Sequence, residues 1–591
     1  MIRKSQFRLT ALMTVLPLAL QGCIMDSSNS ATIPPAPTSS VSPQDALATA
    51  TPIKHVVVIF DENRSFDHYF GTYPLASNPS GEPVFTASVG TPVPDNLLNV
   101  SLSNPMQSAL LTSNPNSTNT ANGSGATNPF RLDRSQANTS DQNHAYTAEQ
   151  QAYDNGLVDL FPKYTGRATA GGTGAFGSTG QVMGYFDGNT ITGLWNYAQH
   201  FALSDNNRDD DYGPSTPGAL ELVSGQTNGV QLVITPTQPF TLNAYSYYIS
   251  DGAGGYTLIN DVDPANDLCY GSSAHYFSGK GTIMMTGKNI GDLLNAASVT
   301  WGGFQGGFNL SVTNSNGTTG CERTTTPTVA GMQPMTDYVV HTNWFQYFKS
   351  TANPTHARPS STASIGYSIV PGSTTAEPAN HEYGMNDFFA AVAAGNFPSV
   401  SILKAPGFQN GHPGYSDPLD EQNFVATVIN FLQQQPDWKN TAVIITWDDS
   451  DGWYDHSYVT PTHSSYDAQA DQVNGSGVCG SGTQPLGVKG SPVNGRCGPG
   501  TRIPLLVISP YAKQNYISHT AITLASVTQF IEDNWLNGQR LGGGASDAGT
   551  GSLMDMFDFS SAPNLTPLWI DPVQGTVLSS PPAGSKTPHT L

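Results

Sequence analysis

Four short segments of the chain are apolar at nearly every position and bounded by polar residues or proline: HVVVIF (His55 to Phe60), SVSILKAP (Ser399 to Pro406), TAVIITW (Thr441 to Trp447) and IPLLVISP (Ile503 to Pro510). Runs of this length, rich in β-branched residues, predict buried strands. Helix-like segments lie beside three of them: HEYGMNDFFAAVAAG before the Ser399 run, EQNFVATVINFLQQQ (Glu421 to Gln435) before the Thr441 run, and AITLASVTQFIEDNW (Ala521 to Trp535) after the Ile503 run. Strands alternating with helices predict an α/β fold with a mostly parallel central sheet covered by helices on both faces. Polar stretches rich in Gly, Ser, Asn and Thr, notably Ser101 to Ser124 and Gly225 to Thr326, predict loops or a small β-rich insertion. One main domain is therefore expected over 51–562, with an insertion at about 225–330 and an irregular tail over 563–591.

The N-terminus reads differently. Arg3, Lys4 and Arg8 precede an apolar run from Leu9 to Leu20, too short to span a bilayer, and then Leu20-Gln21-Gly22-Cys23. This predicts a signal peptide over 1–22. Its ending resembles a bacterial lipobox, which implies a lipidated Cys23, a flexible Ser/Pro-rich tether over 23–50 and a place at the outer membrane or periplasmic face. Cleavage elsewhere, without a lipid, is the alternative and implies a periplasmic or secreted protein. The other four cysteines, Cys269, Cys321, Cys479 and Cys497, predict two disulfides in an exported chain. Of the three pairings, proximity favours Cys269 with Cys321 and Cys479 with Cys497. A formal net charge of -21 argues against binding nucleic acid or anionic lipid by charge, so membrane contact is expected only through the lipid anchor.

Polar residues cluster at the carboxyl ends of the predicted strands, where α/β sheets gather ligands. HVVVIF leads into Asp61-Glu62-Asn63-Arg64-Ser65-Phe66-Asp67, TAVIITW into Asp448-Asp449-Ser450-Asp451-Gly452, and the Ser399 run is followed by His412-Pro413. Carboxylates gathered at buried strand ends repel one another unless a cation sits among them, which points to a hard divalent metal with oxygen ligands. In GPSTPGALELVSG (Gly213 to Gly225), a helix starting at Pro217 would place the Ser215 hydroxyl at a helix N-terminus, where amides favour an anion. A nucleophile attacking phosphorus suits that position, and helix capping is the plainer role.

These residues resemble the bacterial phosphoesterases that include phospholipases C and acid phosphatases, a family of the alkaline phosphatase superfamily. The likeness rests on ENRSFDHYFG (Glu62 to Gly71), Asp141-Gln142-Asn143-His144, Gly156-Leu157-Val158-Asp159-Leu160-Phe161 and Gly213-Pro214-Ser215-Thr216-Pro217. It implies an alkaline-phosphatase-like sheet and one divalent metal held by Glu62, Asn63, Ser215, Asp448 and Asp449. Ser215 is then the nucleophile, and His144, Asp159, His341 and His412 bind phosphoryl oxygens or protonate the leaving group. Thr342 follows His341 where many relatives carry a second His, and His456 matches a further family position.

WDDSDGWYDH (Trp447 to His456) is more similar to the acid phosphatase branch, which implies hydrolysis of small phosphate monoesters through a phosphoserine. An acidic optimum is expected if the proton-donating histidine titrates near about 6.5. The alternative is a phospholipase C acting on choline lipid head groups, with Trp447, Trp453 and Tyr454 as a cation-binding wall. An inactive surface-binding lipoprotein is the alternative of another class.

Overall fold

The computed structural model describes residues 42, 44–233, 243–270, 272 and 281–588. The expected signal peptide, Cys23 and most of the tether lie outside the described residues. Eight strands form the central sheet: β1 (His55–Asp61), β2 (Ala202–Ser204), β3 (Trp301–Gln305), β4 (Glu382–Gly384), β5 (Val400–Lys404), β6 (Thr441–Trp447), β7 (Leu505–Ile508) and β8 (Tyr516–Ser518). Their order is β4-β3-β5-β1-β6-β7-β2-β8. Every pairing is parallel except the two made by β7. Each residue of β1, β5 and β6 is buried, odd and even positions alike, so both faces of the sheet centre are covered. β1 therefore delivers Glu62 and Asn63 at the same end of the sheet at which its parallel neighbour β6 delivers Asp448 and Asp449.

The helices that matter for the site are α1 (Phe66–Phe70), α2 (Tyr146–Tyr153), α3 (Thr192–His200), α4 (Ser215–Ser224), α5 (Met385–Ala393), α6 (Pro418–Leu432) and α7 (Ala525–Trp535). Local chemistry starts α6 ahead of its apolar pattern, because Asp417 accepts from the amides of Leu419 and Asp420 and Pro418 takes the first turn. α5 is shorter than expected, because Glu382–Gly384 pairs with β3 as an edge strand.

Two boundaries differ from those predicted. β3, WGGFQ, lies inside the segment expected to be an insertion but is a full member of the sheet. Its glycines hide the strand pattern yet are required by packing: a Cβ on Gly302 would stand 2.7 Å from the Phe304 ring, and one on Gly303 2.5 Å from Glu382 Oε1. The tail is not wholly irregular, since Trp569–Ile570 pairs antiparallel with Val577–Leu578. Side-chain amides of α6 and of the residue that closes it hold this segment, with Asn430 Nδ2 donating to Ile570 O (2.7 Å) and Gln433 Nε2 to Leu568 O (2.9 Å). Such pairing has no signature in hydrophobic periodicity.

The expected insertion contributes two antiparallel ladders, Val230–Val233 with Thr282–Met285 and Tyr248–Ser250 with Tyr256–Leu258. Disulfides join Cys269 to Cys321 and Cys479 to Cys497, with Cα atoms 5.3 and 5.8 Å apart, as proximity suggested. Among the described residues no helix is long and apolar enough to cross a membrane.

A buried ion network ties α1 to the loop beyond β6. Asp67 receives Arg502 (3.2 Å) and His456 Nδ1 (2.6 Å), and Asp455 receives Arg502 (3.1 Å). Burial works against a charged His456, but Asp67 and Asp95 outweigh it and raise its pKa to about 10. A raised histidine contributes stability in full below its unfolded value of about 6.5 and loses it as pH rises through about 10. His456→Gln is expected to cost about 2 kcal/mol at pH 6. Thermal unfolding across pH should show the gap to the wild type closing toward pH 10.

Candidate active site

Ser215 is the first residue of α4, two positions earlier than expected, and its side chain caps nothing: Pro214 is the residue that precedes the helix, and it makes no side-chain capping bond. Its hydroxyl points into a cage. Ser215 Oγ lies 3.3 Å from Glu62 Oε2, 3.3 Å from Asn63 Oδ1 and 3.1 Å from Asp449 Oδ2. All four residues are buried. The close approach depends on Gly218, where a Cβ would meet Asp448 O at 1.9 Å, so any larger residue would lift α4 off the end of β6. Asn63 sits in the left-handed region (φ 61°), a conformation asparagine tolerates better than most residues, and its own amide donates to Asp448 Oδ1 (2.9 Å).

A hydroxyl has one proton, so it can satisfy only one of three surrounding acceptors, two of them buried carboxylates. A cation among Glu62, Asn63, Ser215 and Asp449 would resolve that crowding, and the all-oxygen donor set fits a hard divalent metal. Asp448, the fifth residue of the expected metal set, is engaged by its own neighbours. Its Oδ1 accepts from the amides of Asn63 and Asp449 (2.9 and 3.0 Å), and its Oδ2 lies 3.2 Å from Lys404 Nζ. Lys404, at the end of β5, also pairs with Glu62 Oε1 at 2.8 Å. Burial works against its ammonium, but Asp448 and Glu62 outweigh it and hold the pKa above the ordinary lysine value. Sequence reading passed over Lys404, although a lysine closing an apolar strand was the available signal.

A cavity of about 700 Å³ opens beside the cage, lined in part by His144, Pro214, Asp261, His341, His412 and Tyr415. His144 Nε2 comes within 3.4 Å of Asn63 Nδ2, while its Nδ1 faces Gln142 O (3.0 Å) and Asp451 (3.3 Å). Burial lowers the His144 pKa, but Asp451, Asp141 and Asp261 prevail and raise it to about 9. His412 is the reverse case: burial lowers its pKa to about 4, and its Nδ1–H donates to Pro413 O (2.6 Å), leaving Nε2 as an acceptor. The two rings lie 6.1 Å apart. One charged and one neutral histidine thus face the same space, so a protonated donor does not require the acidic medium expected from the sequence. Asp141, His144, His412 and Asp451 also bring potential ligand atoms within 4.8 Å of one another, a second place able to hold a cation.

His341 lines the cavity, and its carbonyl accepts from Thr216 Oγ1 (3.0 Å) and Tyr347 Oη (2.8 Å). Asp159 does not join these residues. Asn119 Nδ2 donates to its carboxylate and Asn122 Nδ2 to its carbonyl, both at 2.8 Å, and it is not part of the cavity wall. Trp447, Trp453 and Tyr454 do not form a cation-binding wall either. They are buried, and the Trp447 indole donates to Glu421 Oε1 (2.6 Å). The aromatic rings on the cavity wall are Tyr247 and Tyr415, brought by segments distant in sequence. Glu149 of α2 joins two site loops, accepting from Gly213 N (3.1 Å) and Ser450 Oγ (2.5 Å).

The chain belongs to the Phosphoesterase family, whose model matches residues 53–536. It is 23% identical over 492 residues to the non-hemolytic phospholipase C of Pseudomonas aeruginosa, covering 82% of this chain and 54% of that protein. It is 24% identical over 535 residues to phospholipase C A of Mycobacterium tuberculosis, covering 87% of this chain and 79% of the relative. The chain spans little more than half the length of the Pseudomonas relative. A solved protein of the alkaline phosphatase superfamily from Vibrio parahaemolyticus aligns at 11% identity over 65% of this chain and 75% of its own, with a TM-score of 0.24, a likeness too loose to add to the topology above.

Replacing Lys404 by Met would leave Glu62 and Asp448 buried without their ammonium. Metal-free K404M is expected to lose about 3 kcal/mol of stability, with part of the loss recovered on adding a divalent metal. Thermal unfolding with and without chelator measures both effects.

Proposed function

We propose that this chain hydrolyses phosphate esters by attack of Ser215 Oγ on phosphorus, and that phospholipid-type phosphodiesters are its substrates. The observation that carries the reaction is the convergence of Glu62, Asn63 and Asp449 on the Ser215 hydroxyl beside a cavity holding a charged histidine. The diester preference draws on the phospholipase C names of the relatives and on a cavity large enough for a head group.

A divalent cation held by Glu62, Asn63, Ser215 and Asp449 would supply Lewis acidity at the hydroxyl and offset charge on the phosphoryl oxygens. Ser215 Oγ bonds to phosphorus as its proton passes to water in the cavity, since Asp449 Oδ2, 3.1 Å away, would be engaged by the cation. The bond from phosphorus to the leaving oxygen breaks on the opposite side, and His144 Nε2 gives that oxygen a proton. Water then attacks the phosphoserine, giving a proton to His144 as the bond from phosphorus to Ser215 Oγ breaks, and Ser215 regains a proton from water. The neutral His412 offers Nε2 to a donor on the substrate or to the attacking water. Release of the head-group phosphate completes the cycle.

Monoester hydrolysis is the second reading. It is favoured by two positive groups at the cavity, the charged His144 and Arg167, which pairs with Asp141 at 3.0 Å. Release of p-nitrophenol from its phosphorylcholine diester and from its phosphate monoester, with wild type and Ser215→Ala, separates the readings. Diester turnover lost in S215A supports the first, monoester preference the second, and turnover unaffected in S215A would remove Ser215 from the mechanism. His144→Gln is expected to slow esters with poor alkoxide leaving groups by on the order of 100-fold and p-nitrophenyl esters far less, a difference read from the two rates.

A further inference from the structure

Asp261 meets the start of α4 one residue beyond the proposed nucleophile. The amides of the first turn of an α-helix attract anions, and Thr216 N, one residue beyond the nucleophile, belongs to that turn. This amide is already taken: it donates to Asp261 Oδ1 at 2.8 Å. Asp261 comes from the segment read in the sequence as an insertion, and it lines the cavity together with its neighbours Asn260 and Tyr247.

Its position is built rather than incidental. The Asp261 amide donates to Asn260 Oδ1 (2.8 Å), and Asn260 Nδ2 donates to Ser246 O (2.7 Å). The Tyr347 hydroxyl, 2.8 Å from His341 O, is also 2.7 Å from Val262 O and pins the next residue of the same segment. A carboxylate is thus fixed beside Ser215 on one wall, with His144 and His412 on the same cavity.

We infer that Asp261 is a specificity-determining residue that disfavours dianionic phosphate monoesters and thereby selects monoanionic phosphodiesters. The inference rests on the proposed role of Ser215. A monoester at neutral pH carries one more negative charge than a diester on the same phosphorus, and at a few ångströms from a fixed carboxylate in a partly desolvated site that charge is repelled strongly. The diester loses less, because both of its ester oxygens are uncharged. Thr216 N–H remains usable to a substrate oxygen only by displacing Asp261 Oδ1, a displacement that a second negative charge makes harder.

The test compares wild type with Asp261→Asn, which keeps an oxygen able to accept from Thr216 N and removes the charge. The kcat/KM ratio of p-nitrophenyl phosphate to p-nitrophenyl phosphorylcholine is expected to rise by on the order of tenfold in D261N, with the melting temperature unchanged. A ratio within twofold of wild type in a folded variant, or equal loss on both substrates, would reduce Asp261 to a structural contact and overturn the inference.

A second measurement needs neither the variant nor turnover. Calorimetric titration of the metal-loaded wild type at pH 8 is expected to show dimethyl phosphate binding more tightly than methyl phosphate, and the reverse order would overturn the filter. Failure of the underlying reading looks different, since wild type would then turn over neither ester and bind neither phosphate.

Discussion

Negative charge without water is the condition on which this molecule is organised. Glu62, Asp448 and Asp449 are buried at the ends of adjacent parallel strands, where burial and the neighbouring Glu62 push the Asp448 carboxyl up and burial and Asp448 push Asp449 up. The fold answers with two kinds of compensation. Lys404, delivered by the strand on the other side of β1, neutralises one side of the cage through Glu62 Oε1 and Asp448 Oδ2. The other side crowds Glu62 Oε2, Asn63 Oδ1 and Asp449 Oδ2 around Ser215 Oγ, where the proposed cation would sit. A single carboxylate, Glu62, therefore spans both halves, which makes its position sensitive to either.

The sheet supplies the direction of these groups, but the nucleophile arrives by a different route. Helix α4 is not an immediate continuation of any of the three strands that carry the cage. It reaches them because Gly218 lets its backbone lie against Asp448 O and because Glu149 holds Gly213 to Ser450. Small size at one position and one buried carboxylate at another thus set the distance between Ser215 and its surroundings. The same logic extends outward to the cavity, where Asp261 and Tyr347 tie the segment read as an insertion to the helix start.

Electrostatics also divides residues that look alike in sequence. His144 and His412 face one cavity, yet Asp451 and Asp141 keep the first charged while burial keeps the second neutral. His456, a third histidine near a matching motif, serves the Arg502, Asp67 and Asp455 network that holds α1 in place. Local sequence alone does not distinguish these roles, because Asp451 beside His144 and Asp67 beside His456 come from distant parts of the chain and His412 is governed by its burial.

The sequence by itself determined the strands at His55, Ser399, Thr441 and Ile503, the helices beside three of them, and the bunching of carboxylates at strand ends, because periodicity and local residue type encode those features directly. It also put Ser215, Glu62, Asn63 and Asp449 among the candidate residues, through motifs that resemble a known family, and the structure brings these four together. Only the tertiary structure decided that Lys404 occupies Asp448, that Asp159 stays with Asn119, that Tyr247 and Tyr415 rather than Trp447 and Trp453 face the cavity, and that WGGFQ is a sheet strand. Those outcomes depend on groups far apart in the chain competing for the same buried space and the same hydrogen bonds, and no local pattern records which of them wins.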